Sequence, residues 1–259
     1  MRLKTAVARV LVENGRARGV RFASGETLRS AAVVLNGDFL AATRTLIAPA
    51  LWPPEFRDTV ARLRPSCSAI AVHLGVRGEF ADARPIIHVA GAQGAAGIVI
   101  PSLADPSAAP AGYSTVEIMR LVSHAEARGW FGDREAADEK ALRRAPEYPT
   151  RKKAAGDALI RAAEQALPGL GRRVVYRADA SPVTFSRYDW SSSGAIYGCD
   201  GRREPIGAKS PIAGLLFAGA VTHGAGVEAV MISGANAAEA LVPGLLQTIA
   251  PAPSFRAAA

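Results

Sequence analysis

The chain has 259 residues, 49% of them hydrophobic, which is enough for one large domain or two small ones with an ample core and excludes a disordered chain. The formal net charge is +8, but the basic residues are scattered as short pairs (Arg143–Arg144, Lys152–Lys153, Arg172–Arg173, Arg202–Arg203), without interleaved aromatics or zinc-finger spacing. That pattern argues against nucleic-acid binding and leaves a solvated Arg-rich surface, an anionic membrane or an acidic partner.

Only two cysteines are present, Cys67 and Cys199, with no C-x-x-C, so a disulfide framework is not indicated. The apolar runs, such as Ile212 to Val221, fall short of the roughly 20 residues that span a bilayer. No N-terminal stretch has the order of a signal peptide. The expected compartment is a reducing cytoplasm, with peripheral membrane contact left open.

In chain order, Val7 to Val12, Ala17 to Ala23 and Ala31 to Asn36 read as strands. Asn14-Gly15 is a strong hairpin signal, because both central residues of a type I′ turn need positive φ, and Ser24-Gly25 marks a second turn. AAVVLN is apolar throughout, as expected of a strand buried on both faces. Asp38 to Leu63, interrupted by Pro49, Pro53 and Pro54, reads as two short helices. Ala69 to Val76, Ile86 to Val89, Ile98 to Ile100 and Thr115 to Val122 read as strands, the middle pair around a Gly91–Gly97 turn. Such a run of strands followed by helices predicts an antiparallel or mixed sheet, and an α/β (α+β mixed) chain overall. A helix is expected over Arg134 to Arg144, and a clear amphipathic one over Arg151 to Leu167, stopped by Pro168-Gly169. Val174 to Arg177 is a short strand, and PAPSFRAAA is a frayed end.

The chain is organised around residues 214–242, GLLFAGAVTHGAGVEAVMISGANAAEALV. Gly214 to Gly219 reads as a buried strand, Ala220 to Gly226 as a small-residue turn, and Val227 to Leu241 as a helix. Val227, Val230, Met231 and Leu241 share a helical stripe with Gly234, Ala237 and Ala238. A strand that feeds a glycine turn and then a helix aims N–H groups and the positive end of a helix dipole at one point, which suits a phosphate or a ring oxygen gaining negative charge. Gly224, Gly226 and Ala229 also spell G-x-G-x-x-A. That is a weak nucleotide signal here, since it lies late in the chain and Leu245 to Pro251 offers no acidic residue for a ribose.

Among the four histidines, His73 and His88 fall within strands, where a satisfied core or surface histidine is the commoner case; His124 completes the set outside the turn. No pair has metal-ligand spacing, so no metal is expected, and no G-x-S-x-G elbow is present. Cys67 reads as a structural thiol. His223 lies in the glycine turn, open between contact with a ligand and capping the corner. Glu228, in the first helical turn, is favoured there by the dipole. Tyr188, Trp190 and Tyr197 cluster before the last strand, as candidates for lining an apolar substrate channel or for packing in a core.

LLFAGAVTHGAGVEAVMISGANAAEAL resembles the C-terminal FAD-contact motif of the phytoene desaturase-like flavoproteins, within the FAD-dependent amine oxidase superfamily. RYDWSSSGAIYG (Arg187 to Gly198) is similar to the segment before that family's final strand. PSLADPSAAPAGYST (Pro101 to Thr115) resembles its PS-x-x-DPS-x-AP-x-G loop. Val7 to Asp38 resembles the meander after its nucleotide-binding half. The resemblance covers most of the chain in the expected order.

It implies FAD as cofactor, with contacts from Val7, Gly219, Ala220, His223, Gly224, Gly226, Val227 and Glu228, and with Val7 passing the adenine by its main chain. It implies FAD-binding segments at 1–48 and 205–248, part of a Rossmann-like domain, a substrate domain at 49–204 with a mixed or antiparallel sheet, and a tail at 249–259. It implies hydride transfer from an apolar, carotenoid- or polyprenoid-like substrate to flavin, with no catalytic residue nominated. Ala220 stands where many related flavoproteins carry a ribityl-binding Asp. The family's N-terminal G-x-G-x-x-G unit has no counterpart before Val7, so a partner chain supplying that half, or a longer protein, is expected. An amine oxidase-type enzyme and a non-catalytic assembly subunit are the alternatives.

Overall fold

The computed structural model describes residues 1–80, 82–91, 94–132, 139–200 and 206–248. The chain divides into two compact units, one of residues 1–64 with 197–259 and one of residues 65–196.

The first unit opens with β1 (Val7–Glu13), β2 (Arg16–Phe22) and β3 (Thr27–Arg29), an antiparallel meander in the order β1-β2-β3. Asn14 and Gly15 hold φ values of 48° and 72°, as the type I′ turn requires. The third strand was not expected from TLR, which is exposed throughout and owes its form to pairing with β2. β4 (Val33–Leu35) leaves the meander and runs parallel to a strand near the chain's end. It is not buried on both faces as its composition suggested: Val34 is 48% exposed. β4 has a described partner on one side only, so its apolar character serves a surface still open among the described residues.

α1 (Phe39–Thr45) is capped by Asp38, whose carboxylate accepts from the Ala41 N–H at 2.7 Å, and α2 (Pro54–Arg62) starts on its proline. Phe39 and Phe56 close on Phe217 from the last described strand, at 5.0 and 5.9 Å between ring centroids. Trp52, Val60 and Leu63 join the same core, and the Trp52 indole N–H donates to Thr43 O at 3.0 Å. The unit therefore runs on to Arg64, past the expected boundary at 48, and resumes at Tyr197, ahead of 205, because these side chains share the core with Phe217 and Cys199.

The second unit follows the two-residue β5 (Arg64–Pro65), which straddles the boundary. Its strands are β6 (Ser68–Arg77), β7 (Ile86–Gly91), β8 (Gly94–Val99) and, after α3 (Pro101–Ala104), β9 (Tyr113–Val122). Then come α4 (His124–Arg128), α5 (Glu139–Arg144), α6 (Glu147–Ala163), α7 (Leu170–Arg173), β10 (Val174–Ala180) and α8 (Pro182–Asp189). The five-stranded sheet has the order β10-β6-β9-β8-β7, with every neighbouring pair antiparallel. Ile70, Val72, Leu74 and Val76 of β6 alternate onto one face, with Val116 and Ile118 of β9, and bury against Leu159 and Ala163 of α6.

The sequence placed a turn at Gly91–Gly97, but most of that stretch is strand. Gly94 to Val99 pairs with β7 on one side and, from Gly97, with β9 on the other, and that pairing overrides the poor strand propensity of Gly and Ala. α6 starts at Glu147 rather than Arg151, because Pro149 is tolerated in a first helical turn, and it ends at Ala163. The expected helix from Arg134 is described only from Glu139. α8 escaped the sequence reading, since its Thr, Phe, Ser and Tyr residues are poor helix formers; a capping box of Ser181 and Thr184 with Pro182 at its start holds it.

The chain returns to the first unit with β11 (Cys199–Asp200), β12 (Leu215–Phe217) and α9 (Val227–Leu241). The frayed end lies outside the described residues. Among those described, no helix is long and apolar enough to cross a membrane.

Candidate functional site

The corner between β12 and α9 is built from small residues for a backbone reason. Leu215, Leu216 and Phe217 are buried, and β12 pairs with β4 in parallel, Leu215 opposite Val33 and Phe217 opposite Leu35. Ala218 N continues that ladder to Leu35 O at 3.0 Å. Gly219 then turns away with φ 98°, a backbone angle that strains any L side chain, and a Cβ there would also push against Asn36 Oδ1, 2.5 Å away. Its N–H donates to Ser233 Oγ at 2.8 Å, and its carbonyl accepts from the Thr222 hydroxyl at 3.1 Å.

Gly224 (φ 153°) and Gly226 (φ 105°) complete the turn. Nothing stands within 4 Å of where a Gly226 Cβ would be, so that glycine is needed for its backbone angle and leaves open space before the helix. α9 begins with no side-chain cap. Its first ladder bond runs from Val230 N to Gly226 O at 3.0 Å. The N–H groups of Val227, Glu228 and Ala229 therefore lie at an open, positive helix end. At the other end, Glu239 takes the N–H groups of Leu246 and Gly244 at 2.9 and 2.6 Å, which hold its carboxyl below the usual carboxylate range.

The large apolar residues of the expected stripe face outward, while Ala237 from the same stripe is buried. Ser233 and Ala237 are buried, while Val227 and Met231 are 78% and 70% exposed and Val230 and Leu241 are also exposed. Close approach to β12 requires small residues, so the narrow side of the helix turns inward and the large apolar side outward.

The sequence-nominated residues from Gly219 to Glu228 form one continuous corner. His223 and Glu228 are exposed, and Ala220 is half-buried, with its Cβ 3.3 Å from where a Gly198 Cβ would lie. Val7 lies elsewhere in the unit, half-buried at the start of β1 opposite Phe22. Tyr188 and Trp190 in the second unit and Tyr197 in the first are 70%, 68% and 41% exposed, so none of the three is a core residue. Trp190 ends α8 in the left-handed region, at φ 54°, which is rare for a bulky side chain. Sequence reasoning missed Asn36, Thr222 and Ser233, which shape the turn. Their one signal was a serine in the middle of an Ala/Gly-rich helix.

The profile of the flavin containing amine oxidoreductase family matches residues 1–242. The chain belongs to that family.

It is 26% identical over 258 residues to a 4,4'-diapolycopene oxygenase of Methylomonas, covering 90% of this chain and 48% of that protein. It is 28% identical over 269 residues to a neurosporene-forming phytoene desaturase of Cereibacter sphaeroides, covering 89% and 47%. Within the superfamily it is thus phytoene desaturase-like, and it spans about half the length of these curated relatives. In structure it is similar to an oxidoreductase from Methanosarcina mazei, with a TM-score of 0.58 at 20% identity, covering 91% of this chain and 49% of that one. A putrescine oxidase variant matches with a TM-score of 0.57 at 12% identity, covering 92% and 48%. These likenesses establish the amine oxidase fold.

FAD is the cofactor of the family, and the corner fits one end of it. The open space before Gly226 and the uncapped N–H groups of Val227 to Ala229 suit a polarised ring edge or the ribityl chain. Ala220 offers no carboxylate to the ribityl hydroxyls, and no G-x-G-x-x-G occurs in the sequence for the pyrophosphate.

Proposed function

We propose that this chain is the ring-facing and substrate-binding half of an FAD-dependent desaturase or dehydrogenase. Its substrate is long and apolar, of carotenoid or polyprenoid type. The observation that carries the reading is the Gly219–Gly226 turn opening into the uncapped start of α9. The names of the curated relatives support the substrate class.

In this reading, the N–H groups of Val227, Glu228 and Ala229 hold the pyrimidine edge of the flavin and oppose the negative charge that reduction puts there. Gly224 and Gly226 allow close backbone approach, and His223, exposed in the same turn, reaches the cofactor or the substrate. Bound FAD would supply the hydride acceptor for a substrate C–H bond. Main-chain groups at Val7 pass the adenine. Tyr188, Trp190 and Tyr197, exposed rather than core-packed, are the candidate apolar contacts for substrate.

A G-x-G-x-x-G-bearing segment, on a second polypeptide or in a longer protein, completes the FAD site and covers the outward apolar face of α9 and the open side of β4. The exposure of Val34, Val227 and Met231 supports this, as does the half-length match to the relatives.

The test is the absorbance of the chain purified alone and coexpressed with a nucleotide-binding half. Flavin bands only in the pair, bleached anaerobically by an apolar polyene, are expected. A stable stoichiometric complex without flavin would overturn the reading in favour of an assembly subunit.

A further inference from the structure

β10 is an edge strand of the five-stranded sheet, bonded to β6 alone among the described strands. Beside it the second unit carries an open cleft of about 640 Å³, between His73 of β6, the start of α6 and the helix α8. That volume lies within the range of roughly 300–1,000 Å³ typical of small-molecule sites.

The lining combines positive charge with aromatic walls. Lys152 Nζ lies 5.6 Å from the Tyr148 ring centroid, and the Arg187 guanidinium 4.9 Å from that of Tyr188. Arg143 lines the same cleft, and Phe185 adds an apolar wall. Tyr148 is buried and fixed by a 3.0 Å hydrogen bond between its hydroxyl and Ser181 Oγ, so this wall is held before any ligand arrives.

Among the described residues, no carboxylate is ion-paired with Lys152 or Arg187. Asp179 is taken by Arg177, with Oδ1 2.8 Å from Nη2. Glu117 faces His73 at 3.5 Å. Asp189 lines the cleft at the exposed end of α8, without an ion pair to Arg187 or Lys152. Elsewhere in the unit, Arg120, Lys153 and Arg177 each hold a carboxylate. Lys152 and Arg187 instead rest on aromatic faces with their donors still available.

We propose that this cleft binds an amphiphilic anion, with its phosphate or carboxylate head on Lys152 and Arg187 and its apolar body against Phe185, Tyr148 and Tyr188. The shared chemistry is that of a phosphomonoester on a hydrocarbon, whether free or as a lipid headgroup. The cleft is lined by residues of the second unit alone, and the proposal does not rest on the flavin reading, with which it shares only Tyr188.

The experiment is calorimetric titration of the whole chain with monomeric dodecyl phosphate, inorganic phosphate, and phosphatidylcholine vesicles with and without phosphatidate. The test variant is Lys152→Ala/Arg187→Ala. The control is Arg57→Ala/Arg62→Ala, two exposed arginines of α2 in the other unit. Unchanged thermal midpoints establish that both variants are folded.

Dodecyl phosphate is expected to bind the unmodified chain and the control alike, and the cleft variant at least about tenfold more weakly. Inorganic phosphate is expected to bind at least about tenfold more weakly than dodecyl phosphate. Phosphatidate-dependent vesicle binding that the cleft variant loses identifies the lipid headgroup as the source, and its absence identifies a free amphiphile. The proposal is overturned if dodecyl phosphate does not bind, binds the cleft variant equally well, or is lost to the same degree in the control.

Discussion

Ser233 Oγ, wholly buried in the middle of α9, lies 2.8 Å from the N–H of Gly219, fourteen positions earlier (233 − 219). The Thr222 hydroxyl lies 2.5 Å from the same oxygen. One hydroxyl thus ties the end of β12, the glycine turn and the helix together, and the exposed residues proposed to meet the flavin are positioned by a buried side chain.

Ser233→Ala removes the acceptor of a half-buried N–H and is expected to destabilise the chain by about 1–3 kcal/mol. Urea unfolding measures the loss. In the flavin-bearing assembly the same change should weaken flavin retention. A variant of unchanged stability would mean that water replaces the hydroxyl and that the tie is dispensable.

Gly156 tests a sign. In an exposed helix, Gly→Ala stabilises by about 1 kcal/mol. Gly156 is buried in α6, and a Cβ there would fall on Asp179 Oδ1 and 2.6 Å from Arg177 Nη2. Arg177 also holds the Asp157 carboxylate and donates to Lys153 O at 2.9 Å, so the group cannot retreat without breaking these bonds. Gly156→Ala should therefore destabilise, by about 1–3 kcal/mol from overpacking. Adding Asp179→Ala to it should cost less than the two single changes summed.

Acid should act through two carboxylates of α6 and its end. The Arg177 guanidinium, then the Lys153 ammonium, hold the Asp157 carboxyl below its ordinary value. The N–H groups of Gly171 and Gly169 do the same for Glu164. Because these folded values lie below the unfolded ones, the stability they add is complete above a pH of about 4 to 5 and is lost as pH falls through the folded values. Urea midpoints should stay level from neutral pH down to that range, as far as these two groups are concerned, and drop below it. Glu164→Gln should flatten part of the acid limb, and an unaltered limb would rule this origin out.

The outward face of α9 gives a prediction with two opposed readouts. Met231→Glu alters a side chain that is 70% exposed, so the isolated chain should keep its stability to within about 0.5 kcal/mol and self-associate less. The same variant should fail to copurify with a nucleotide-binding half. Unimpaired copurification would mean that this face is not the docking surface.

The features legible in the sequence were those set by short-range backbone chemistry. Asn14-Gly15 announced its hairpin through positive φ, and α9 spans Val227–Leu241 as its pattern indicated, because a glycine turn precedes it and Pro243-Gly244 follow it. The resemblance seen in residues 214–242 agrees with the family profile, which matches residues 1–242. The local pattern was silent where form depends on a distant partner: Thr27–Arg29 needs β2, and Gly94–Val99 needs strands on both sides. α8 stands on a capping box, and its bond to Tyr148 joins residues far apart in sequence.

The sequence by itself therefore determined the Asn14-Gly15 hairpin, the glycine corner from Gly219 to Gly226 and the family resemblance, since φ preferences and residue spacing act within a few positions. Only the tertiary structure decided which face of α9 turns inward, why Gly156 must lack a side chain, and that Lys152 and Arg187 line a common cleft. Those outcomes depend on steric and electrostatic contact between residues that the chain brings together only by folding.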